Sequence, residues 1–171
     1  MVVWLIGLSG SGKTTIGRHL YNIWKRDAAN TVLVDGDEIR EMFDDADQPS
    51  YSVDGRRANA ERIVKLCTWL DCQDINVICC ILSVFPDMRE TNRSKFSRYF
   101  ETYISTPMDI LVERDTKGLY SAAISGKIKN VVGVDIEFIP PSAPDIEVNT
   151  GIPDADPKIQ AHEIYNAIKS L

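Results

Sequence analysis

Residues Gly7-Leu8-Ser9-Gly10-Ser11-Gly12-Lys13-Thr14 carry the pattern G-x-x-x-x-G-K-[ST] in full. Glycines let main-chain N–H groups curl around phosphate oxygens, and a helix starting behind them adds partial positive charge. A lysine there can hold the β- and γ-phosphates, and a threonine hydroxyl can ligate Mg²⁺. The candidate nucleotide-phosphate set is therefore Gly7, Ser9, Gly10, Ser11, Gly12, Lys13, Thr14 and Thr15. A glycine turn that merely links strand to helix would leave the Lys-Thr pair at that spacing unexplained.

A second constellation is Asp35-Gly36-Asp37. Two carboxylates at the end of a strand can accept a proton from an attacking hydroxyl and help hold hydrated Mg²⁺. Asp is also at home in a solvated helix-start turn, which is the bland reading. Arginine forks bind phosphate or sulfate oxygens bidentately. Arg40, Arg56, Arg57 and Arg62 follow the acidic turn, and Arg89, Arg93 and Arg98 come later; about half of such a set is expected to face a site, the rest pairing with surface acids.

The elements that must position these groups alternate. Val2–Ile6, Thr31–Val34, Ile75–Leu82, Glu101–Ser105 and Ile146–Asn149 read as strands, with Ile75–Leu82 central because it is apolar on both faces. Helical periods run through Lys13–Lys25, Glu38–Phe43, Arg56–Cys72, Pro86–Tyr99, Pro107–Arg114 and Pro157–Leu171; the last places Ile159, Ile164 and Ile168 on one face. Asp44–Asp54 reads as a loop, Asp115–Gly133 as a helical, mobile lid, and Pro140, Pro141 and Pro144 as an extended connection. The expected architecture is a three-layer α/β/α P-loop NTPase sandwich around a parallel sheet, one domain over 1–171.

Composition narrows the function. The chain has 171 residues, 44% hydrophobic and 26% charged, with a net charge of −6. That acidity argues against a nucleic-acid or anionic-membrane surface. No apolar run reaches the roughly 18 residues of a membrane span, so the expected location is cytoplasmic. Cys67, Cys72, Cys79 and Cys80 form no CxxC, and His19 and His162 have no metal-ligand spacing; the cysteines read as structural thiols. Asp115-Thr116-Lys117-Gly118 spells D-x-x-G, but after a helix rather than a strand, and no N-K-x-D guanine motif exists. A mechanical ATPase would carry an apolar strand ending in Asp, whereas Ile75–Leu82 ends in Ser83, which leaves a kinase.

At this point the chain resembles the adenylylsulfate kinase family, whose members phosphorylate the 3′-hydroxyl of adenosine 5′-phosphosulfate. Gly7–Thr15 matches its G-L-S-G-S-G-K-[ST]-T, and Asp35–Arg40 its D-G-D-x-x-R. Tyr51–Asn59 approximates F-S-x-x-D-R-x-x-N, Arg114–Tyr120 nearly meets R-D-P-K-G-L-Y, and Gly126–Asp135 follows G-x-I-K-x-x-x-G-[IV]-D. The resemblance implies ATP and Mg²⁺ as cofactors, Asp37 as the base, and Asp35 beside Thr14 at the metal. It implies Arg40, Tyr51, Arg56, Asn59 and Ser83 with Asp35 and Asp37 on the acceptor side, Arg114 on the ATP side, and Lys117 in the lid over the transferring phosphate. A homodimer is the family's common assembly.

The departures lie on the acceptor side. The family sandwiches adenine between two phenylalanines; here one position is Tyr51 and the other aligns with Val131. An aromatic face is worth about 1–3 kcal/mol per stacked base. The family's I-S-P-Y-R has become Leu82-Ser83-Val84-Phe85-Pro86. The leading expectation is therefore an adenylylsulfate kinase. The alternatives are a related nucleotide 3′-kinase with another acceptor, such as the cytidine diphosphate derivative cytidine diphosphoramidate, and a nucleotide-binding module without turnover.

Overall fold

The computed structural model describes residues 1–43, 51–115 and 117–171. Five strands, β1 (Val2–Ile6), β2 (Thr31–Asp35), β3 (Asn76–Ile81), β4 (Tyr99–Ser105) and β5 (Ile146–Asn149), pair in parallel in the order β2-β3-β1-β4-β5. The helices are α1 (Lys13–Asp27), α2 (Gly36–Met42), α3 (Val53–Asp71), α4 (Pro86–Lys95), α5 (Met108–Glu113), α6 (Leu119–Ile124) and α7 (Pro157–Lys169).

A parallel sheet must be covered on both faces, and strand alternation supplies an apolar residue to each. Val3, Leu5, Ile78 and Cys80 pack against Ile16, Leu20 and Trp24 of α1 and Ala161, Ile164 and Ile168 of α7. Val2, Trp4, Ile6, Val77 and Cys79 point the other way, onto Ile39 of α2 and Ala60, Ile63, Val64 and Cys67 of α3. The expected three layers are therefore present. β1 occupies the middle, with all five of its residues buried. The interior place expected of β3 is found between β2 and β1. Cys67, Cys79 and Cys80 are buried free thiols, and Cys72 is exposed.

Several expectations change. α4 ends at Lys95, four residues early, because Phe96 turns extended and buries itself against Trp4 while Tyr99 enters the ladder beside Val2. Ile159 is 68% exposed; five residues from Ile164 it lies well round the helix, and Gln160 and Ala161 take the buried face instead. Within the expected lid only Leu119–Ile124 is helical, because Gly118, Gly126 and Gly133 all adopt positive φ and interrupt any longer helix. Tyr120, Ala123 and Val131 of that segment form a small core with Leu111 of α5, packed on Leu8. Residues 44–50 of the expected loop and Thr116 lie outside the described residues. No helix among the described residues is long and apolar enough to cross a membrane.

Candidate active site

β1 ends at Ile6, and the chain then wraps through Gly7–Gly12 into α1. The wrap depends on glycine at two positions. A Cβ on Gly7 would stand 2.5 Å from the Ile104 carbonyl oxygen and 2.7 Å from Ser11 Oγ. Gly12, the residue before α1, has φ 96°, a left-handed conformation that a side chain would strain. The hollow these glycines leave suits phosphate. Ser11 Oγ is buried there with no hydrogen-bond partner among the described residues, as expected of a group whose partner is a ligand. Lys13 Nζ donates to the Leu8 carbonyl at 2.7 Å, folding the side chain back over the loop. Loss of water around that ammonium pulls its pKa below the usual lysine range, while Cys80, Asp37 and Asp35 act in the opposite direction. Thr15, also expected in the phosphate set, is exposed on α1.

Opposite the loop, β2 ends at Asp35, which caps α2 by accepting from Asp37 N at 2.9 Å. Its other oxygen accepts from Thr14 Oγ1 at 2.6 Å. The two oxygens expected to hold Mg²⁺ are thus in contact. Both are hard donors suited to a cation that takes most of its ligands from phosphates and water. Asp37 projects into solvent, its side chain 80% exposed, and receives Arg40 at 2.6 Å.

Arg40 and Arg56 both lie over the Tyr51 ring, at 4.9 and 5.6 Å from its centroid. Arg56 also donates to the Tyr51 carbonyl at 3.1 Å and the Asn130 carbonyl at 2.8 Å, which ties α3 to the far end of the lid segment. Its burial, and Arg40 beside it, lower the Arg56 pKa from its ordinary value. Asn59 is buried and donates to the Gly36 carbonyl at 3.2 Å, so it braces the acidic turn. Asp37, Arg40, Tyr51 and Arg56 therefore form one cluster at the carboxyl edge of the sheet, the edge at which open α/β sheets bind ligands.

The remaining candidates scatter. Ser83 sits just past β3 with φ 55°, and its hydroxyl accepts from Trp4 Nε1 at 3.5 Å. Val131 is only 4% exposed and packs into the lid core. Lys117 is exposed at the start of the lid segment. Arg114 donates to the Thr150 carbonyl at 2.8 Å. Arg57 pairs with Asp87 and Arg62 donates to the Phe43 carbonyl. Arg89 donates to the Ile139 carbonyl and Arg93 pairs with Asp145, both pinning the proline-rich connection rather than a ligand site. Arg98 precedes β4, at the opposite end of the parallel strands from the phosphate loop. Sequence reasoning missed Tyr120, whose hydroxyl donates to the Ser9 carbonyl, and Thr150, whose hydroxyl donates to the Ser11 carbonyl. Tyr120 closes the Arg114–Tyr120 motif, and Thr150 directly follows a strand; either fact could have marked them.

A glycine-rich phosphate loop between β1 and α1, faced by an acidic turn and an arginine cluster, defines a P-loop phosphotransferase. The family model for adenylylsulphate kinase matches residues 1–149. The chain belongs to the adenylylsulfate kinase family, an ATP-using group of kinases with alcohol acceptors. It is 42% identical over 148 residues to a cytidine diphosphoramidate kinase of Campylobacter jejuni subsp. jejuni serotype O:2, covering 86% of this chain and 85% of the relative. It is 31% identical over 150 residues to an adenylyl-sulfate kinase of Halothermothrix orenii, covering 88% and 80%. Among solved structures, it superposes on a Mycobacterium tuberculosis APS kinase in complex with AMPPNP and APS with TM-score 0.85 and 28% identity, covering 98% and 96% of the two chains.

Proposed function

We propose that this kinase transfers the γ-phosphoryl group of ATP to the 3′-hydroxyl of a 5′-substituted nucleotide, and that a cytidine diphosphate derivative is its best acceptor. The observation that carries the base preference is Val131. Where the family has an aromatic ring, this side chain is short and turned into the lid core, 4% exposed. The site thereby forgoes a stacking face worth about 1–3 kcal/mol per base, a loss that falls hardest on a purine with its larger ring system. The 42% identity to a cytidine diphosphoramidate kinase, against 31% to an adenylyl-sulfate kinase, supports the same choice. Adenosine 5′-phosphosulfate is the second reading, favoured by the family match and by the likeness to a structure holding that ligand.

In this reading Arg40 and Arg56, stacked on Tyr51, grip the acceptor's 5′-phosphates, and Asp37 takes the proton from its hydroxyl. Arg40 must exchange the Asp37 carboxylate for the ligand as the acceptor arrives. Lys13 swings from the Leu8 carbonyl to the triphosphate, and Lys117 completes the charge at the lid. Thr14 and Asp35 would hold Mg²⁺, which would supply neutralisation of the charge that develops during transfer. The test is ADP release with a panel of 5′-substituted nucleotides. A kcat/KM at least tenfold higher for a cytidine diphosphate derivative than for adenosine 5′-phosphosulfate supports the proposal; the reverse ratio rejects it in favour of the second reading.

A further inference from the structure

We propose that Tyr120 and Thr150 are positioning residues for ATP, their hydroxyls gripping the outward carbonyls of the phosphate loop so that its amides converge on the triphosphate. The inference rests on ATP binding at this loop and is independent of the acceptor.

A peptide unit is planar, with its C=O and the following N–H pointing in opposite directions. Fixing a carbonyl outside the loop therefore fixes the next N–H inside it. The Ser9 carbonyl governs the Gly10 N–H, and the Ser11 carbonyl governs the Gly12 N–H. These are the peptide units most free to flip, because Gly10 and Gly12 stand at φ 76° and 96° and glycine populates either sign of φ readily. Each carbonyl is held by one hydroxyl: Tyr120 Oη donates to Ser9 O at 2.8 Å, and Thr150 Oγ1 donates to Ser11 O at 3.0 Å.

Both hydroxyls are themselves fixed. Tyr120 is 2% exposed in the lid core, and the Asp115 carboxylate anchors the start of α6 by accepting from Leu119 N and Tyr120 N at 2.8 Å and Ser121 N at 3.1 Å. Burial, helped by Asp115, pushes the Tyr120 phenol up to about 12, so it remains a neutral donor at ordinary pH. Thr150 is 4% exposed. Its hydroxyl also lies 3.4 Å from the Ser105 carbonyl and 2.5 Å from Thr106 Oγ1, where either hydroxyl can donate; with Thr106 donating, the Thr150 proton goes to the nearer carbonyl, that of Ser11. Arg114 holds the Thr150 backbone through its carbonyl. The brackets reach the loop from two directions, one from the lid and one from the ends of β4 and β5. Lys13 must leave the Leu8 carbonyl to reach a phosphate, whereas Tyr120 and Thr150 can keep their bonds with ATP in place.

The experiment is titration calorimetry of Mg-ATP into the intact protein without acceptor, alongside thermal melts of the unliganded protein. Tyr120→Phe and Thr150→Val each remove one hydroxyl at nearly constant shape, and each is expected to weaken ATP binding about 3- to 10-fold, the weight of one such hydrogen bond. Thr150→Ser should restore affinity, and the KM for the acceptor should stay within twofold of wild type. Should Thr150→Val fail to fold, Tyr120→Phe alone decides. Unchanged ATP affinity in Tyr120→Phe overturns the proposal, as does a loss shared equally by the acceptor KM. Failure of the wild type to bind ATP would overturn the nucleotide reading and this inference with it.

Discussion

Asp35→Asn removes a charge at the carboxyl end of β2 with almost no change of shape, so its effects on folding and on chemistry should separate. Asp35 is 6% exposed, caps α2 through Asp37 N, and accepts from Thr14 Oγ1 at 2.6 Å. Asn ranks with Asp as a helix N-cap, so the bond to Asp37 N survives. The bond to Thr14 passes from a charged to a neutral partner and loses about half its strength, about 1 kcal/mol. In a chain of this size that lowers Tm by about 2–4 °C. Activity should suffer far more. A carboxylate set where charge is neutralised during phosphoryl transfer is comparable to other preorganised electrostatic contacts, whose removal costs about 10²–10³ in rate, or about 3–4 kcal/mol. The assay pairs a thermal melt with ADP release measured across a Mg²⁺ titration, in which the midpoint should move to higher Mg²⁺. A kcat/KM within threefold of wild type at every Mg²⁺ concentration would refute the reasoning, because Asp35 would then be only a helix cap.

Two further outcomes concern a buried carboxylate and the cysteines. Asp71 is buried and accepts from Ser97 N, Ser97 Oγ and the Met1 amino group. Burial raises its pKa, but those bonds outweigh it and leave it below the ordinary 3.8. The unfolded chain then binds more protons than the native one below that value, so the contribution is complete above about pH 4 and is lost as pH falls through the lowered pKa. Acid titration monitored by circular dichroism should show Asp71→Asn less stable at neutral pH and with a flatter acid limb; an unchanged acid limb would contradict the assignment. The cysteines give a counting test. Burial, with Asp35 nearby, pushes the Cys80 thiol up to about 12, and Cys67 and Cys79 are buried as well. A thiol reagent should therefore titrate Cys72 quickly in the native protein and the other three only on unfolding; prompt reaction of more than one would show the sheet face to be open.

The phosphate loop is legible in the residues alone, because its chemistry is local: Gly7 to Thr14 are contiguous, and their backbone needs are written in residue type. The layered parallel fold could be read as well, since short runs such as Val2–Ile6, apolar on both faces and followed by glycine, read as strands covered twice. The acidic turn was legible for the same reason. What each long side chain does was settled by packing. Seven arginines looked alike along the chain, yet Arg40 and Arg56 gather on Tyr51 while Arg89 and Arg93 pin the connection before β5. Packing also turned Val131 into the lid core and set Tyr120 and Thr150 on the loop's carbonyls, over separations of 111 and 139 residues. A side chain of several rotatable bonds reaches whatever partner the packing leaves within range, and no local pattern records which one that will be.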